Sequence, residues 1–212
     1  YLKRSPMNDR ILFPYIFTDS ELETIEIHFQ THTDWTKPIF SSIKNNIIEY
    51  LRIQQGNTCC YCKYQLGFDI KEVDIEHIIP KGGRKGEYEK FTFEKNNLAL
   101  SCPACNTKKS TKDVLNNKVS SYPTDGKDFI IVHAHLDNYS EHITIYDKCV
   151  FSAKTEKGKE TIVCCDLLRL AIVEEKAKAY TPSLLKQLVK DLNNPNEQDK
   201  NELLAIIKNA IR

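Results

Sequence analysis

Two pairs of closely spaced cysteines constrain the fold of this chain more than any other feature of its sequence. Cys59 and Cys62 form one Cys-x-x-Cys pair, and 39 residues separate it from a second pair, Cys102 and Cys105. Each pair can approach a metal ion from a tight turn, and two such pairs complete the four-cysteine tetrahedral site typical of structural zinc. The sequence therefore predicts a Zn²⁺ ion that joins two distant segments and contributes to folding.

The composition is that of an ordinary globular protein. Of the 212 residues, 41% are apolar and 28% are charged, which excludes a wholly disordered or fibrous chain. No stretch approaches the roughly 18 consecutive apolar residues of a membrane-spanning helix. The first residues also lack the apolar core of a secretory signal. We therefore expect a cytoplasmic protein with reduced cysteines and no association with membranes.

Positive charge is concentrated in one part of a nearly neutral chain. The 30 basic and 29 acidic residues give a net charge of +1, yet residues 77–118 alone hold nine basic and four acidic side chains. Local positive charge of this kind suits a partner with a phosphate backbone. The basic residues predicted to contact nucleic acid are Lys81, Arg84, Lys85, Lys108, Lys109 and Lys112.

Apolar periodicity predicts a mixed α+β fold. Helical spacing of apolar residues marks helices towards both ends, and β-branched alternation marks short strands near the cysteine pairs. The first predicted helix begins with a cap at Asp19 or Ser20. The other predicted helices span 38–54, 106–115, 159–180, 181–192 and 197–211. The predicted strands lie around 73–79, 96–101, 129–132 and 143–146.

Four polar residues accompany the cysteine pairs in a distinctive order. Glu76 and His77 follow the first pair, Asn97 precedes the second pair, and Asn106 follows it directly. Because zinc would hold the two ends of the insert together, we expect these side chains to converge on one site. With Lys109 three residues further on, the motif resembles the zinc-stapled branch of the HNH endonucleases over roughly residues 56–118.

The resemblance implies a ββα-metal core, also called a His-Me finger, in which two strands and a helix surround one divalent cation. It implies that His77 is the general base that activates water, and that Asn97 fixes the loop that aims His77. The implied ligands of a catalytic Mg²⁺ or Mn²⁺ ion are Glu76 and Asn106, and Lys109 is the implied contact to substrate phosphate. Imidazole titrates near neutral pH, which suits His77 to this role on chemical grounds as well.

Two positions depart from the commonest form of this motif. The last metal ligand is Asn106 rather than histidine, and the acidic residue is Glu76, one methylene longer than the usual aspartate. Asp74 is an alternative ligand, because a strand places residues two apart on the same face.

Three segments are expected around the motif: an N-terminal helical segment over 1–55, the HNH nuclease core with its zinc over 56–118, and a β-rich then helical segment over 119–212. This layout is similar to the HNH subunits of bacterial anti-phage systems of the retron-associated and Septu types, which pair with an ATPase. The resemblance therefore implies DNA as the substrate, and an ATPase or another defence-system protein as the partner.

Two other functions stay open on the sequence alone. A catalytically silent zinc module that binds nucleic acid or protein would keep the cysteines, although it would need neither His77 nor the polar residues around it. An HNH nuclease acting on RNA would show the same motif, because nothing in the sequence discriminates between the two sugars.

The remaining cysteines and histidines are expected to have structural roles. Cys60 is an alternative to Cys59 as a zinc ligand, with a less favourable spacing to Cys62. His133 and His135 alternate with Asp137 as on one face of a strand, a pattern that also occurs in metal sites. The other residues that we assign to structure are His28, His32, His142, Cys149, Cys164 and Cys165.

Overall fold

The computed structural model describes residues 9–69, 71–146 and 148–177, except for the side chains of Arg84 and Lys85. The described residues up to Leu168 form one unit, and Arg169 begins a second, of which residues 169–177 are helical. The helices predicted over 181–192 and 197–211 lie outside the described residues. Within the described part of the chain, no helix is both long enough and apolar enough to cross a membrane.

Among the described residues before the first cysteine pair lie the helices α1, Asp19–His28, and α2, Ser41–Gln54. Two short 3₁₀ helices, His32–Thr36 and Pro38–Phe40, connect them. The helix predicted over 38–54 is confirmed by the second of these turns together with α2, which buries one apolar face. The chain leaves α2 through Gly56, whose φ of +59° is a conformation that glycine adopts without strain.

The cap of α1 is Thr18, so the sequence prediction of Asp19 or Ser20 was wrong by one or two residues. The Thr18 hydroxyl accepts a hydrogen bond from the amide of Glu21, and the Glu21 carboxylate accepts one from the amide of Thr18. This reciprocal capping box requires a glutamate three residues after the cap, and Glu21 stands at that distance from Thr18.

A two-stranded antiparallel sheet carries the predicted motif. Strand β1 is Asp74–His77 and strand β2 is Leu98–Ser101, with Asp74 opposite Ser101 and His77 opposite Leu98. Between the strands lie the short helix α3, Gly83–Gly86, and two 3₁₀ helices, Glu89–Phe91 and Lys95–Asn97. Both predicted strands are confirmed, each shorter than the sequence pattern indicated.

Helix α4, Pro103–Lys109, follows β2 and completes the ββα arrangement that the resemblance implied. It begins three residues earlier and ends earlier than the predicted helix over 106–115. The early start has a local cause: Cys102 is the cap, its sulfur accepts from the amide of Cys105, and Pro103 occupies the first turn. The second cysteine pair therefore lies at the beginning of this helix.

The remainder of the first unit contains α5, Tyr139–His142, a hairpin of β3, Ile143–Tyr146, and β4, Val150–Ala153, and helix α6, Glu156–Cys164. A 3₁₀ helix, Gly126–Asp128, precedes them. The hairpin is antiparallel, and it confirms the strand predicted over 143–146.

Two predictions for this region were wrong. Residues 129–132 form no strand. Phe129 makes only an isolated bridge with Leu115, and Ile131 and Val132 are buried without sheet pairing. The single helix predicted over 159–180 is interrupted at 165–168, where the chain turns and Asp166 adopts a left-handed φ of +49°. In both segments the apolar pattern alone did not determine the backbone conformation.

Candidate functional site

The four predicted zinc ligands converge in the structure. The sulfur atoms of Cys59, Cys62, Cys102 and Cys105 all lie within 4.8 Å of one another. The sulfurs of Cys62 and Cys102 are 3.8 Å apart, and a zinc–sulfur bond of about 2.3 Å gives a tetrahedron with edges of about 3.8 Å. Four thiols with this spacing fit a structural zinc ion, and Cys60 lies outside the group.

Local backbone structure places the two pairs against each other. After the first pair the chain turns sharply: the Lys63 amide donates to the Cys59 carbonyl, and Lys63 has a left-handed φ of +58°. The Cys60 amide donates to the Leu100 carbonyl, which attaches this turn to β2. Because the second pair begins α4, zinc would join the turn, the sheet and the helix.

His77 ends β1 and is 6% exposed. Its Nε2 atom lies 3.1 Å from the Thr92 carbonyl oxygen. A carbonyl can only accept a hydrogen bond, so Nε2 carries the proton of the neutral imidazole and Nδ1 has a free lone pair. The ring also packs edge-on against Trp35, with 4.6 Å between the ring centroids.

The charge state of His77 agrees with this tautomer. Burial lowers the pKa of His77 well below its usual range, and the positive charges of Lys81 and Lys109 lower it further. The imidazole is therefore neutral at physiological pH, and its pKa lies below the near-neutral range expected from the sequence.

Asn97 holds the chain that follows β1. Its Oδ1 atom accepts from the Ile79 amide at 2.7 Å, and its Nδ2 atom donates to the carbonyls of Ile79 and Phe91 at 3.0 and 2.9 Å. Asn97 is fully buried, so these bonds are shielded from competing water. This geometry is what the predicted loop-fixing role requires, since Ile79 lies two residues beyond His77.

Glu76 and Lys109 form a buried ion pair. Each side chain is 1% exposed, and Lys109 Nζ lies 2.6 Å from Glu76 Oε1. Tyr61 donates to the same oxygen at 3.2 Å, and Lys109 also donates to the His77 carbonyl at 2.9 Å. In this conformation Lys109 is therefore not available for the predicted phosphate contact, because its ammonium is paired with the Glu76 carboxylate.

The second oxygen of Glu76 distinguishes this pair from a purely structural one. Oε2 is buried and has no hydrogen-bond partner among the described residues. Burial raises the pKa of Glu76, while the Lys109 ammonium acts in the opposite direction. An unpartnered buried carboxylate oxygen is costly, and a bound cation is one way to satisfy it.

Asn106 lies beside Asp74 on the same side of the sheet. Asn106 Nδ2 donates to Asp74 Oδ2 at 2.8 Å, and Asp74 shares its strand face with Glu76. Helix α4 thus runs along β1, with Asn106 at Asp74 and Lys109 at Glu76. Two carboxylates and an amide oxygen are hard donors of the type that Mg²⁺ and Mn²⁺ prefer, so the residues present fit a divalent cation.

Apart from the cysteine site, no three His, Cys, Asp or Glu side chains bring their ligand atoms together among residues 9–69, 71–146 and 148–177. The segment with His133 and His135 is a turn rather than a strand, which overturns the alternation expected there. Both imidazoles are buried, and Asp137 pairs with Lys157 at 2.8 Å.

The six predicted phosphate-binding residues fall into different environments. Lys108, in the last turn of α4, and Lys112, three residues after the helix, are both exposed. Lys108 pairs with Asp166 at 2.9 Å, and Lys112 donates to the Cys164 carbonyl. Lys81 is half-buried, and burial lowers its pKa. Lys109 is buried, and the side chains of Arg84 and Lys85 lie outside the described structure.

Sequence reasoning missed several residues that contact the motif. Trp35 packs on His77, Thr92 binds its imidazole, and Tyr61 binds Glu76. Tyr122 donates to Asn97 from outside the motif. Only Trp35 carried a signal, as the single tryptophan of the chain.

Comparison with known proteins identifies the segment that contains this site. Residues 59–112 match the family model described as HNH endonuclease. The chain is 31% identical over 136 residues to the "Septu protein PtuB" of Bacillus thuringiensis. The aligned residues are 64% of this chain and 42% of that protein. It is 32% identical over 97 residues to the "Retron Vc95 putative HNH endonuclease" of Vibrio cholerae. Here the aligned residues are 44% of this chain and 46% of that protein.

The chain thus spans less than half the length of these curated relatives. No solved structure gives a significant match. The family match begins at the first zinc ligand and ends just beyond α4, so it contains both strands, the helix and every polar residue of the motif. By this match, residues 59–112 of this chain are similar to the HNH endonuclease family over the whole of the motif.

Proposed function

We propose that this protein is a metal-dependent endonuclease that hydrolyses DNA phosphodiester bonds, with His77 as its general base. The observation that carries the proposal is the tautomer of His77. Its Nε2 proton is committed to the Thr92 carbonyl, which leaves Nδ1 to take a proton from water. What separates His77 from the other buried histidines is its position next to Glu76, inside the segment that matches the HNH endonuclease family.

The polar residues around β1, the strand that ends at His77, have the chemistry to hold a divalent cation. In this proposal the ligands are Glu76 and Asn106, and the half-buried Asp74 is the neighbouring carboxylate. When bound, the cation would neutralise charge that develops on the phosphate during hydrolysis. Asn97 keeps the loop beyond His77 in place through its bonds to Ile79.

The relatives suggest a biological setting for this activity. Their names refer to a Septu protein and to a retron HNH endonuclease. We propose that this chain likewise supplies the nuclease of an anti-phage system in the cytoplasm, with an ATPase or another protein of the system as its partner.

A cleavage assay on the zinc-loaded protein tests the enzymatic part. We expect supercoiled plasmid to be nicked or linearised with Mg²⁺ or Mn²⁺, and to stay intact with EDTA. The zinc content after EDTA treatment must be unchanged, and added Mg²⁺ must restore cleavage, because loss of the structural zinc would also abolish activity. Preferential cleavage of an RNA of the same sequence would redirect the proposal to RNA. Absence of cleavage by folded, zinc-loaded protein would contradict a nuclease that acts alone and favour a silent binding module.

Removing the charges of Lys108 and Lys112 should weaken DNA binding. Both side chains are exposed, and for each lysine that no longer neutralises a phosphate, the slope of log affinity against log salt should fall by about 0.9. We therefore expect the slope of the Lys108→Gln/Lys112→Gln protein to be smaller by about 2, measured by fluorescence anisotropy without divalent metal. The matched control is Lys159→Gln, an exposed lysine paired with Glu156 on α6. Equal slopes in the two variants would place the DNA elsewhere.

A further inference from the structure

A series of hydrogen bonds connects residues beyond the family match to the loop that follows His77. Tyr122 lies in the middle of this series, with its hydroxyl 2.8 Å from His133 Nε2. The same hydroxyl lies 3.2 Å from Asn97 Oδ1 and 3.1 Å from the Asn96 carbonyl oxygen. Residues 122 and 133 both follow the segment 59–112.

The direction of these bonds follows from the surroundings of His133. Its Nδ1 atom accepts from the amides of His135 and Leu136 at 3.1 and 3.2 Å. Nδ1 is therefore unprotonated, and Nε2 carries the proton of the neutral ring and donates it to the Tyr122 oxygen. Tyr122 must then direct its own proton to the acceptors on the other side, Asn97 Oδ1 and the Asn96 carbonyl.

The series of bonds ends on the backbone that follows His77. Asn97 Oδ1, which receives the Tyr122 bond, also accepts the Ile79 amide at 2.7 Å. His133 is fully buried, and burial lowers its pKa well below the usual range, which keeps the donor arrangement fixed. The same turn holds the opposite strand as well, since His135 Nε2 donates to the carbonyl of Leu98, the residue paired with His77.

We propose that Tyr122 and His133 are positioning residues for His77. Their hydrogen bonds hold the Asn97 amide in the orientation that fixes the loop at Ile79. The proposal rests on the proposed function, because positioning has a meaning only for a reacting histidine. An apolar pair would fill the same space, and the ring contacts of Tyr122 with Phe91 and Phe129 need no hydroxyl. A fixed sequence of donors and acceptors instead selects one orientation of the Asn97 amide.

Tyr122→Phe removes the hydroxyl and keeps the ring contacts, so it isolates this function. Displacement of a catalytic group by about 1 Å can cost about 10²-fold in rate, and a loosened loop should cost about tenfold in kcat with little change in KM. We also expect faster hydrogen exchange at the Ile79 amide, followed by NMR in the metal-free, zinc-loaded protein. The matched control is Tyr15→Phe, which removes a buried hydroxyl bonded to Glu21 far along the chain. It should alter neither quantity.

The two readouts separate this inference from the proposed function. If the wild-type protein cleaves plasmid and Tyr122→Phe keeps its kcat, the positioning role is overturned. If the wild type does not cleave, the proposed function fails, and Ile79 exchange still decides whether Tyr122 holds the loop. Equal exchange in Tyr122→Phe and Tyr15→Phe would then overturn the inference. A His133→Asn variant, which retains a donor but changes its reach, should reproduce the Tyr122→Phe pattern in both readouts.

Discussion

The Cys62→Ser variant will lose its zinc and most of its stability. Its hydroxyl is a poor replacement for a thiolate, and the three remaining ligands no longer complete the tetrahedron. Zinc binding contributes about 10–16 kcal/mol to the folding of zinc-finger peptides, more than the total stability of most domains. We therefore expect no stoichiometric zinc by elemental analysis and loss of the cooperative thermal transition of the first unit.

Cys60→Ser is the control for this effect. Cys60 is buried between two ligands but lies outside the sulfur cluster, so the same substitution there removes no ligand. Burying a hydroxyl in its place should cost about 1–3 kcal/mol, with one zinc retained per chain. Equal zinc content and equal melting temperatures in Cys62→Ser and Cys60→Ser would refute the four-cysteine site.

The His77→Ala variant will lose plasmid cleavage while keeping its zinc. General-base catalysis supplies about 10²–10⁴-fold in rate, and this substitution removes the imidazole that would act as the base. We expect the rate of nicking to fall by that factor, with zinc content and far-UV circular dichroism unchanged. His28→Ala, a substitution of an exposed histidine on α1, should cleave as fast as the wild type.

A second variant guards against misfolding of His77→Ala, in which the packing on Trp35 and the bond to Thr92 are also removed. In His77→Gln the side-chain amide can still donate to the Thr92 carbonyl, but it cannot take up a proton at neutral pH. Folded His77→Gln protein that cleaves at the wild-type rate would show that His77 is not the base.

The local part of this fold could be predicted from the sequence. The cysteine spacing predicts its own geometry, because two tight turns with four thiols are typical of one tetrahedral metal site. The residues concerned are Cys59, Cys62, Cys102 and Cys105. The strands β1 and β2 lie next to these turns, so their positions followed as well. The same locality explains why residues 38–54 were predicted correctly as helical with one apolar face.

The contacts that complete the site could not be predicted, because they depend on tertiary packing. Trp35 meets His77 from 42 positions earlier in the chain, and Tyr122 meets Asn97 from 25 positions later. Lys109 matched a phosphate contact by spacing, yet a seven-residue helix lying along β1 brings its ammonium to Glu76 instead. Spacing along the sequence indicates which residue types are present, but not which of them a helix turns inward.

The packing of Trp35 against His77 gives the protein an intrinsic optical probe. Trp35 is the only tryptophan in the chain, so all of the protein's indole fluorescence comes from a ring in contact with the His77 imidazole. Events at the imidazole can therefore be followed by fluorescence in the unlabelled, unmutated protein. Stopped-flow mixing with metal or with uncleavable DNA would resolve the order of binding in time, without a reporter dye that perturbs the site.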